Sequence, residues 1–349
     1  MFKKPKSIVG LDLGRHSVKA VEIQMEGSEP VITAFAQAEI GSDGNRSEAI
    51  ARVFQEGRFR TKSVVSSVSG QSVVVRYITM PQMSDSELEQ AIRFESDKFL
   101  PFDKEDVQLD CQRLLRAPHQ GADGGSAEDQ ISVVLAACRN DVMEEHVEEV
   151  KSHGLLPYAV EVDVFALANA WELCGLDEAD LEEHEERAIA LVDVGATCTS
   201  INVLAAGETC FSREIGIGGS DMTQAAARRL GLDLADAEAI KRDPDGREAE
   251  VSRAITPVLE DLVSEISLSL DYVENREGIR VEEVLLSGGG VLAPGVVAFI
   301  EQAVGRTTRT WNPLEGIRVA EGRVNIDEIE ANATSLAVAI GLASRACAA

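Results

Sequence analysis

The sequence predicts an α/β protein of two similar lobes, with a small α+β subdomain inserted into the first lobe. An apolar run that ends in an Asp-x-Gly turn, residues 8–14, is followed by a second extended segment at 18–23. The same strand–turn–strand pattern returns about half a chain later, at 190–195 and 199–204. One such hairpin is weak support, but two in the same context favour two related halves.

The composition agrees with this fold class and excludes several functions. Hydrophobic residues make up 44% of the chain and aromatic residues only 4%, so small aliphatic side chains must pack helices onto parallel strands. A formal charge of −27 disfavours binding to nucleic acid or to an anionic membrane surface. The six cysteines contain no C-x-x-C pair, which argues against a zinc or iron–sulfur site and favours free thiols in a reducing compartment.

No segment of the sequence has the features of a membrane anchor. Residues 1–6 are basic but precede no long apolar region, unlike a signal peptide. The most apolar late stretch, residues 335–343, is far shorter than the ~20 residues that span a bilayer. We therefore expect a cytoplasmic protein without direct membrane insertion.

The elements of the first half follow from caps and helix breakers. Ser84 followed by Glu87 predicts a helix start with a capping box, and the apolar spacing predicts that Leu88 and Phe94 pack inward. Pro101 ends that helix, since proline cannot continue the hydrogen-bond ladder. The other elements are predicted as a strand at 107–115, a loop at 118–130, a strand at 131–138, a helix at 140–153 closed by Gly154, and an acidic linker at 177–187.

The second half alternates helices with strands. Gly231 is a natural stop for the first of its helices. The predicted elements are a helix at 220–230, a long helix at 252–275, a strand at 281–286, a helix start within 291–295, and a helix-forming tail at 331–345.

These elements divide the chain into a series of predicted segments. They are the first-lobe core at 1–83, the inserted subdomain at 84–157, a return to the first lobe with a linker at 158–187, the second-lobe core at 188–220 and 279–330, a helical subdomain at 221–278, and a C-terminal helix packing on the first lobe at 331–349.

Both Asp-x-Gly turns have the composition of a phosphate site, because glycine lets backbone N–H groups approach a phosphate closely. The candidate donors in the two turns are Gly14, Arg15, His16 and Ser17, and Gly195, Thr197 and Thr199. Asp12 and Asp193, at the strand ends, would face each other across a cleft. Magnesium keeps several waters and takes few protein ligands, so both aspartates would hold Mg²⁺ through water. Either turn alone could equally be an ordinary hairpin.

A third motif follows an apolar strand and consists of Gly288, Gly289 and Gly290. Three glycines leave a flat backbone surface against which an adenine ring can lie. The run lacks the G-x-G-x-x-G spacing of dinucleotide sites, and the sequence has no G-x-x-x-x-G-K-[ST] loop. A bare triple glycine is more often a strained loop, but its order after two Asp-x-Gly hairpins favours a site for ATP.

This arrangement resembles the actin-like ATPase superfamily, which includes actin, sugar kinases, seventy-kilodalton heat-shock chaperones and FtsA. The resemblance implies an actin-like ATPase fold, in which two ribonuclease-H-like lobes surround a cleft that binds ATP and Mg²⁺. It also implies nucleotide contacts from Gly218 and Gly219, and from Glu238, Lys241 and Arg242, of which Glu238 and Lys241 would flank the ribose and base. A solvated helix face is an equal alternative for Glu238 and Lys241.

The same resemblance gives one candidate catalytic residue. Asp163 begins D-x-x-A-x-A-x-A, which is similar to the helix that carries the acid positioning the attacking water in the chaperones. Glu161 is a nearby alternative. The arginine that stacks on adenine in the chaperones falls at Leu292 here, so the resemblance implies base binding that is weaker or uses other groups.

Within the superfamily the chain looks most like the PilM family of type IV pilus assembly proteins. The most discriminating segment is 93–102, which the chaperones and sugar kinases lack. The resemblance implies an ATP-binding adaptor, with at most slow ATPase activity, that sits on the cytoplasmic face of the pilus machine. There it would hold the N-terminal tail of a PilN-type inner-membrane protein in a groove. The candidates to line or buttress that groove are Phe94, Phe99, Leu100 and Phe102.

Further partners and two alternative functions stay open at this stage. Pilus motor ATPases, the platform protein and a second copy of the chain are further candidate partners in processes such as twitching motility. An FtsA-like filament protein is one alternative, although that family ends in a basic amphipathic helix that residues 343–349 do not match. A small-molecule kinase is the other, although no further acid stands out as the general base that it needs. A chaperone is disfavoured by the length of the chain.

Overall fold

The computed structural model describes residues 5–41, 44–116, 129–174 and 188–347. The linker predicted at 177–187 lies outside the described residues, as does the loop predicted at 118–130 apart from its last two residues. The described chain forms three β-sheets flanked by helices, which confirms the predicted α/β class. In these described ranges, no helix combines the length and the apolar character needed to cross a membrane.

The first sheet forms the centre of the first lobe. Its strands are β1 (Ser7–Leu13), β2 (Ser17–Glu26), β3 (Glu29–Glu39), β4 (Ser63–Val68), β8 (Leu156–Val162) and β14 (Arg318–Val319). They lie in the order β14-β3-β2-β1-β4-β8. Strands β1 and β2 form the predicted antiparallel hairpin, and β4 lies parallel to β1 on its other side.

The second sheet repeats this plan. Its strands are β9 (Ala188–Val194), β10 (Thr199–Ala205), β11 (Glu208–Ile215), β12 (Val281–Ser287) and β13 (Thr307–Thr310). They lie in the order β11-β10-β9-β12-β13. Strand β9 has an antiparallel neighbour in β10 and a parallel neighbour in β12, as β1 has in β2 and β4. The prediction of two related halves is therefore confirmed.

The third sheet belongs to the insertion, and it corrects one predicted boundary. Its strands are β5 (Val73–Pro81), β6 (Val107–Arg113) and β7 (Gln130–Arg139), in the order β5-β7-β6. Strand β5 falls within the range 1–83 predicted for the first lobe, yet it pairs with β7 along its whole length. The described part of residues 70–139 is called the inserted unit below.

The helices surround these sheets. They are α1 (Arg46–Glu56), α2 (Asp85–Glu95), α3 (Asn140–Ser152), α4 (Asp163–Leu173), α5 (Gly219–Leu230), α6 (Leu234–Arg242), α7 (Glu248–Glu277), α8 (Val296–Val304), α9 (Ile326–Asn332) and α10 (Ala337–Ala343). The predicted capping box of Ser84 and Glu87 begins α2. Gly231, in the left-handed conformation, ends α5 as predicted.

Three predicted helix boundaries are wrong. Helix α2 ends at Glu95 and passes through a 3₁₀ turn at 96–98 before it reaches Pro101. The helix expected to start within 291–295 starts at Val296, after a 3₁₀ turn at 289–292. The tail from 331 to 345 is not one helix, because 3₁₀ turns at both ends of α10 let the chain bend around the core.

Helices α4 and α10 join the two lobes. Every residue of α10 is buried, and this helix packs on β1 and on α4. The hydrophobic cluster around it contains side chains from both sheets, including Ile8 and Val65 of the first and Leu191 and Leu285 of the second. A cleft therefore opens between two sheets that share one buried base.

Candidate functional site

The two Asp-x-Gly turns open onto one cleft of about 520 Å³ between the lobes. The cleft brings together most of the predicted nucleotide residues. Those that line it are Asp12, Gly14, Arg15, His16, Ser17, Asp193, Gly195, Thr197, Gly219, Glu238, Lys241, Arg242, Gly288, Gly289 and Gly290, together with Asp163. The cleft is therefore a single concave site with groups from both lobes.

Two predicted residues lie behind the cleft wall instead. Thr199 is fully buried, and its hydroxyl donates to the carbonyl of Ile217 over 2.8 Å. The backbone N–H of Gly218 donates to the Asp221 carboxylate over 2.9 Å, and a Cβ at this position would lie 2.7 Å from the carbonyl oxygen of Ala196. Both residues hold the second turn in place, so their predicted direct role in nucleotide binding is not favoured by this geometry.

The cleft contains one cation that the sequence reasoning missed. The Lys19 ammonium donates to the Asp12 carboxylate over 2.8 Å, and the two side chains are 17% and 14% exposed. Burial acts to lower the pKa of Lys19, but the neighbouring charges of Asp12, Asp193 and Asp163 outweigh it and raise the pKa. Residues paired across an antiparallel hairpin share a face, and Lys19 is the strand partner of Asp12. That register was the available signal.

Asp163 lies in the cleft and its rival Glu161 does not. Asp163 starts α4, and burial, with the nearby charge of Asp12, raises the pKa of its carboxyl to about 6. Glu161 is buried in β8, where it accepts hydrogen bonds from Arg345 and, over 3.0 Å, from Asn169. Of the two acids, only Asp163 is in position to act on a molecule in the cleft.

The raised pKa of Asp163 gives a pH dependence of stability. The folded protein binds this proton more tightly than the unfolded chain does, so the stabilisation from protonation is full below about pH 4 and is lost as the pH rises through about 6. Asp163→Asn should remove this loss. Relative to wild type, its free energy of unfolding in urea is expected to rise by about 1 kcal/mol between pH 5 and pH 8.

The matched control for this pH measurement is Asp103→Asn, at an exposed position outside the cleft. Its free energy of unfolding should follow that of wild type at both pH values. If the free energy of unfolding of Asp163→Asn changed with pH in parallel with that of wild type, the burial of an ionised carboxylate at this position would be contradicted.

Asp193 is held by the glycine motif. The Ser287 hydroxyl, at the end of β12, donates to the Asp193 carboxylate over 2.8 Å, and burial raises the pKa of that carboxyl. In the described part of the chain, no three acidic, histidine or cysteine groups come close enough to hold a metal directly. The separated carboxylates of Asp12 and Asp193 suit a hydrated Mg²⁺ that takes its remaining ligands from water and phosphate.

The glycine run follows Ser287, the strand partner of Asp193, and enters the 3₁₀ turn at 289–292; it is called the glycine shelf below. Gly288 has φ +90°, and a Cβ there or at Gly290 would lie within 3 Å of Val194 atoms. Gly289 has no atom within 4 Å of its position for a Cβ, so it faces the open cleft. Leu292, which replaces the expected arginine, lines the cleft and is 60% exposed. The shelf therefore offers backbone and one aliphatic side chain to a planar ring.

Lys241 lines the cleft and also links α6 to α5 through hydrogen bonds. Lys241 is 6% exposed, and its ammonium donates to the Gly219 carbonyl over 3.0 Å, the Thr223 hydroxyl over 2.7 Å and the Glu238 carboxylate over 2.6 Å. A freely solvated helix face is therefore wrong for Lys241. The next residue, Arg242, donates across the cleft mouth to Glu39 and His16 of the first lobe.

The four predicted peptide-binding residues differ in burial. Leu100 is buried in the core of the inserted unit, and Phe99 and Phe102 pack partly against that core. Phe94 is 83% exposed, so the prediction that it packs inward is wrong. Of the four, only Phe94 is largely exposed to solvent, whereas the other three pack in or against the core of the inserted unit.

The model of the family described as type IV pilus assembly protein PilM matches residues 10–347. A solved PilM-PilN type IV pilus biogenesis complex contains a chain that is 28% identical, with a TM-score of 0.84 over 99% of this chain and 100% of that one.

Two further similarities are more distant. The ethanolamine utilization protein EutJ of Salmonella typhimurium is 23% identical over 49% of this chain, and the match spans 61% of the length of EutJ. The structure of MreB5 of Spiroplasma citri bound to AMPPNP is 11% identical, with a TM-score of 0.50 over 97% of this chain and 95% of that one. At such low identity, this second similarity supports the fold alone.

Proposed function

The chain belongs to the family of the type IV pilus assembly protein PilM, and from this premise we propose that it is an ATP-binding adaptor of the pilus inner-membrane assembly platform. In this role it lies in the cytoplasm and is peripheral to the inner membrane through protein partners. Its partner is the N-terminal tail of a PilN-type membrane protein, in line with the complex that contains its structural relative.

One observation supports the nucleotide part of this proposal. The two Asp-x-Gly turns, one from each lobe, open onto one cleft that also contains the largely buried Lys19. Backbone N–H groups of both turns bind the phosphates, and the Lys19 ammonium neutralises part of their charge. Asp12 and Asp193 would hold Mg²⁺ through water, and the ion would supply the remaining positive charge. The glycine shelf supports the adenine ring, and Glu238 with Arg242 lies at the ribose side.

Hydrolysis, where it occurs, depends on Asp163 in this proposal. Hydrogen bonding by Ser67 and Ser69, which also line the cleft, lowers the pKa of this carboxyl, but the effect of burial is larger. A pKa near 6 leaves it mostly ionised at neutral pH and able to accept a proton from a water molecule.

The adaptor part of the proposal rests on the inserted unit. An exposed aromatic side chain on a helix is a typical anchor for a short peptide, because its burial on binding removes a large apolar area from water. Phe94 provides such an anchor, and Phe99, Leu100 and Phe102 fix the helix that presents it. The remaining alternatives, an FtsA-like filament or a small-molecule kinase, gain no specific support from these contacts.

Phe94→Ala should weaken the binding of the PilN-type N-terminal peptide by roughly 10-fold or more, because the variant has no aromatic ring to bury when the peptide binds. Isothermal titration of wild type and variant with a synthetic peptide from the cognate PilN-type protein checks this, with Mg-ATP present. Since Phe94 is already exposed, the unfolding midpoint of the variant should stay unchanged.

Leu234→Ala is the matched control for this titration. Leu234 is 59% exposed on the helical part of the second lobe, away from the inserted unit, and its replacement should leave peptide affinity unchanged. Equal affinities of Phe94→Ala and wild type would reject this peptide site. A wild-type protein that binds neither Mg-ATP nor the peptide would reject the proposed function as a whole.

A further inference from the structure

Three elements line the side of the cleft that includes the glycine shelf. They are α6, the shelf itself and the segment 332–335, which contacts the shelf where the Gly288 N–H donates to the Thr334 carbonyl over 2.8 Å. Nucleotide bases differ from one another in the hydrogen-bond donors and acceptors on their edges. A cleft that selects one base therefore needs polar groups on these elements that are not already engaged with the protein.

Lys241 of α6 lies close to the shelf but has no donor left for a base. A Cβ built on Gly219 would lie 3.6 Å from the Lys241 ammonium and 3.8 Å from the Cα of Gly290. An ammonium has three N–H donors, and the hydrogen bonds to Gly219, Thr223 and Glu238 use all three. A hydrogen bond from Lys241 to a base would therefore replace a buried bond within the protein and gain little.

The other two predicted contact residues of α6 are engaged as well. Glu238 accepts from Lys241 on one carboxylate oxygen and, over 3.0 Å, from Arg242 on the other. The two remaining nitrogens of the Arg242 guanidinium donate to Glu39 and His16 of the first lobe. The charges of α6 that line the cleft are therefore paired with one another or with the first lobe, and they are not reserved for the edge of a base.

The polar side chains of the segment 332–335 that line the cleft are occupied in the same way. The Asn332 side chain accepts from Gln37 over 2.7 Å and donates to the Glu328 carbonyl over 2.8 Å. The Ser335 hydroxyl donates to the Asn332 carbonyl over 2.8 Å. By contrast, the exposed side chain of Leu292, which also lines the cleft, forms no hydrogen bonds and can pack on any planar ring.

The size of the expected selectivity follows from this distribution of polar groups. A site whose buried polar groups match one ligand rejects an analogue by roughly 10⁴-fold or more, because those groups are left unpaired. Stacking on an apolar surface depends little on the base, since every base has a π-face. The Asp-x-Gly turns and Lys19, in turn, are the groups suited to phosphate, which all nucleoside triphosphates share.

We infer that the cleft recognises the triphosphate and not the base, so that its ligands are nucleoside triphosphates in general, GTP as well as ATP. The inference rests on the proposed function, because it takes the two Asp-x-Gly turns as the phosphate site. Adenine carries an amino donor at the ring position where guanine carries a carbonyl acceptor. A fixed polar partner that suits one of these purines therefore disfavours the other, whereas the glycine shelf and Leu292 accept both.

Competition binding to the full chain tests this inference. Unlabelled ATP or GTP displaces an ATP analogue with a fluorescent label on the ribose, in the presence of Mg²⁺. The affinities of wild type for ATP and GTP should differ by less than about 10-fold. Glu238→Gln and Asn332→Ala change polar groups on two sides of the shelf. Each should change the affinities for ATP and GTP by the same factor, to within about 3-fold, since neither side chain contacts the edge of the base.

Glu301→Ala, at an exposed acid of α8, is the matched control and should keep the wild-type affinity for both nucleotides. A wild-type preference of about 10-fold or more for either nucleotide overturns the inference, and where that nucleotide is ATP the proposed function stands. A ratio of the two affinities that shifts by more than about 3-fold in Glu238→Gln or Asn332→Ala also overturns it, because that side chain then distinguishes the bases. If wild type binds neither triphosphate, both proposals fall together.

Discussion

Lys19→Ala is expected to reduce the affinity for Mg-ATP by roughly 100-fold, which corresponds to about 3 kcal/mol. Lys19 is the ammonium held among the cleft carboxylates of Asp12, Asp163 and Asp193. Without it, these negative charges meet a triphosphate with no protein cation between them, in a site where burial reduces screening. The loss of a charge-assisted hydrogen bond to phosphate lowers the affinity further.

Equilibrium titration with a fluorescent ATP analogue measures this loss. Lys151→Ala is the matched control, since Lys151 also pairs with an acid, Glu148, but is 54% exposed and lies outside the cleft. Its affinity should equal that of wild type. Asp12→Ala and Asp193→Ala, which remove the proposed water-mediated metal ligands, should lose Mg-ATP binding without unfolding. If all three cleft variants bound Mg-ATP with wild-type affinity, the proposal that the nucleotide binds in this cleft would be contradicted.

The parts of the site that could be predicted from the sequence are those whose signal is local. Asp12 and Asp193 each end an apolar strand and precede a glycine turn, and a hairpin joins neighbouring strands by its own geometry. The doubled hairpin therefore predicted both the repeated sheet and the shared cleft. The glycine run was recognisable because three consecutive glycines stand in the sequence itself. In the structure, Gly288 and Gly290 are required by their close approach to Val194.

The parts that were missed depend on pairing between distant residues or on a face that was read incorrectly. Strand β5 joins the inserted unit only through its ladder with β7, which lies far along the chain. The burial of Lys241 depends on Gly219 and Thr223 of another helix. The inward packing predicted for Phe94 was an avoidable error.

Helical periodicity alone would have placed Phe94 correctly. Leu88 and Ile92, the buried residues of α2, are four positions apart and so share one face of the helix. Phe94 comes two positions after Ile92, which turns its side chain by about 200° to the opposite face. A large apolar residue on the solvent face of an otherwise amphipathic helix is itself a signal of a binding surface.

The largest effect on folding is expected from Gly341→Ala, which should lower the free energy of unfolding by about 3 kcal/mol or more. Gly341 is in the middle of α10, whose residues are all buried. A Cβ built there would lie 1.8 Å from the carbonyl oxygen of Ala166 in α4. On the other side of α10, a Cβ at Gly10 of β1 would lie 1.9 Å from the carbonyl oxygen of Ala339. The helix is therefore in backbone contact on both sides and cannot move away from either.

Helix propensity alone predicts that Gly341→Ala raises the free energy of unfolding, since alanine stabilises a helix interior by about 1 kcal/mol relative to glycine. Urea unfolding of Gly341→Ala, of Gly10→Ala and of a control therefore separates close packing from propensity. The control is Gly216→Ala, where a Cβ would have no atom within 4 Å and φ is not in the left-handed region. Its stability should stay within about 0.5 kcal/mol of wild type. A Gly341→Ala protein as stable as wild type would mean that α10 does not lie between β1 and α4, and the shared base that brings the two Asp-x-Gly turns to one cleft would lose its support.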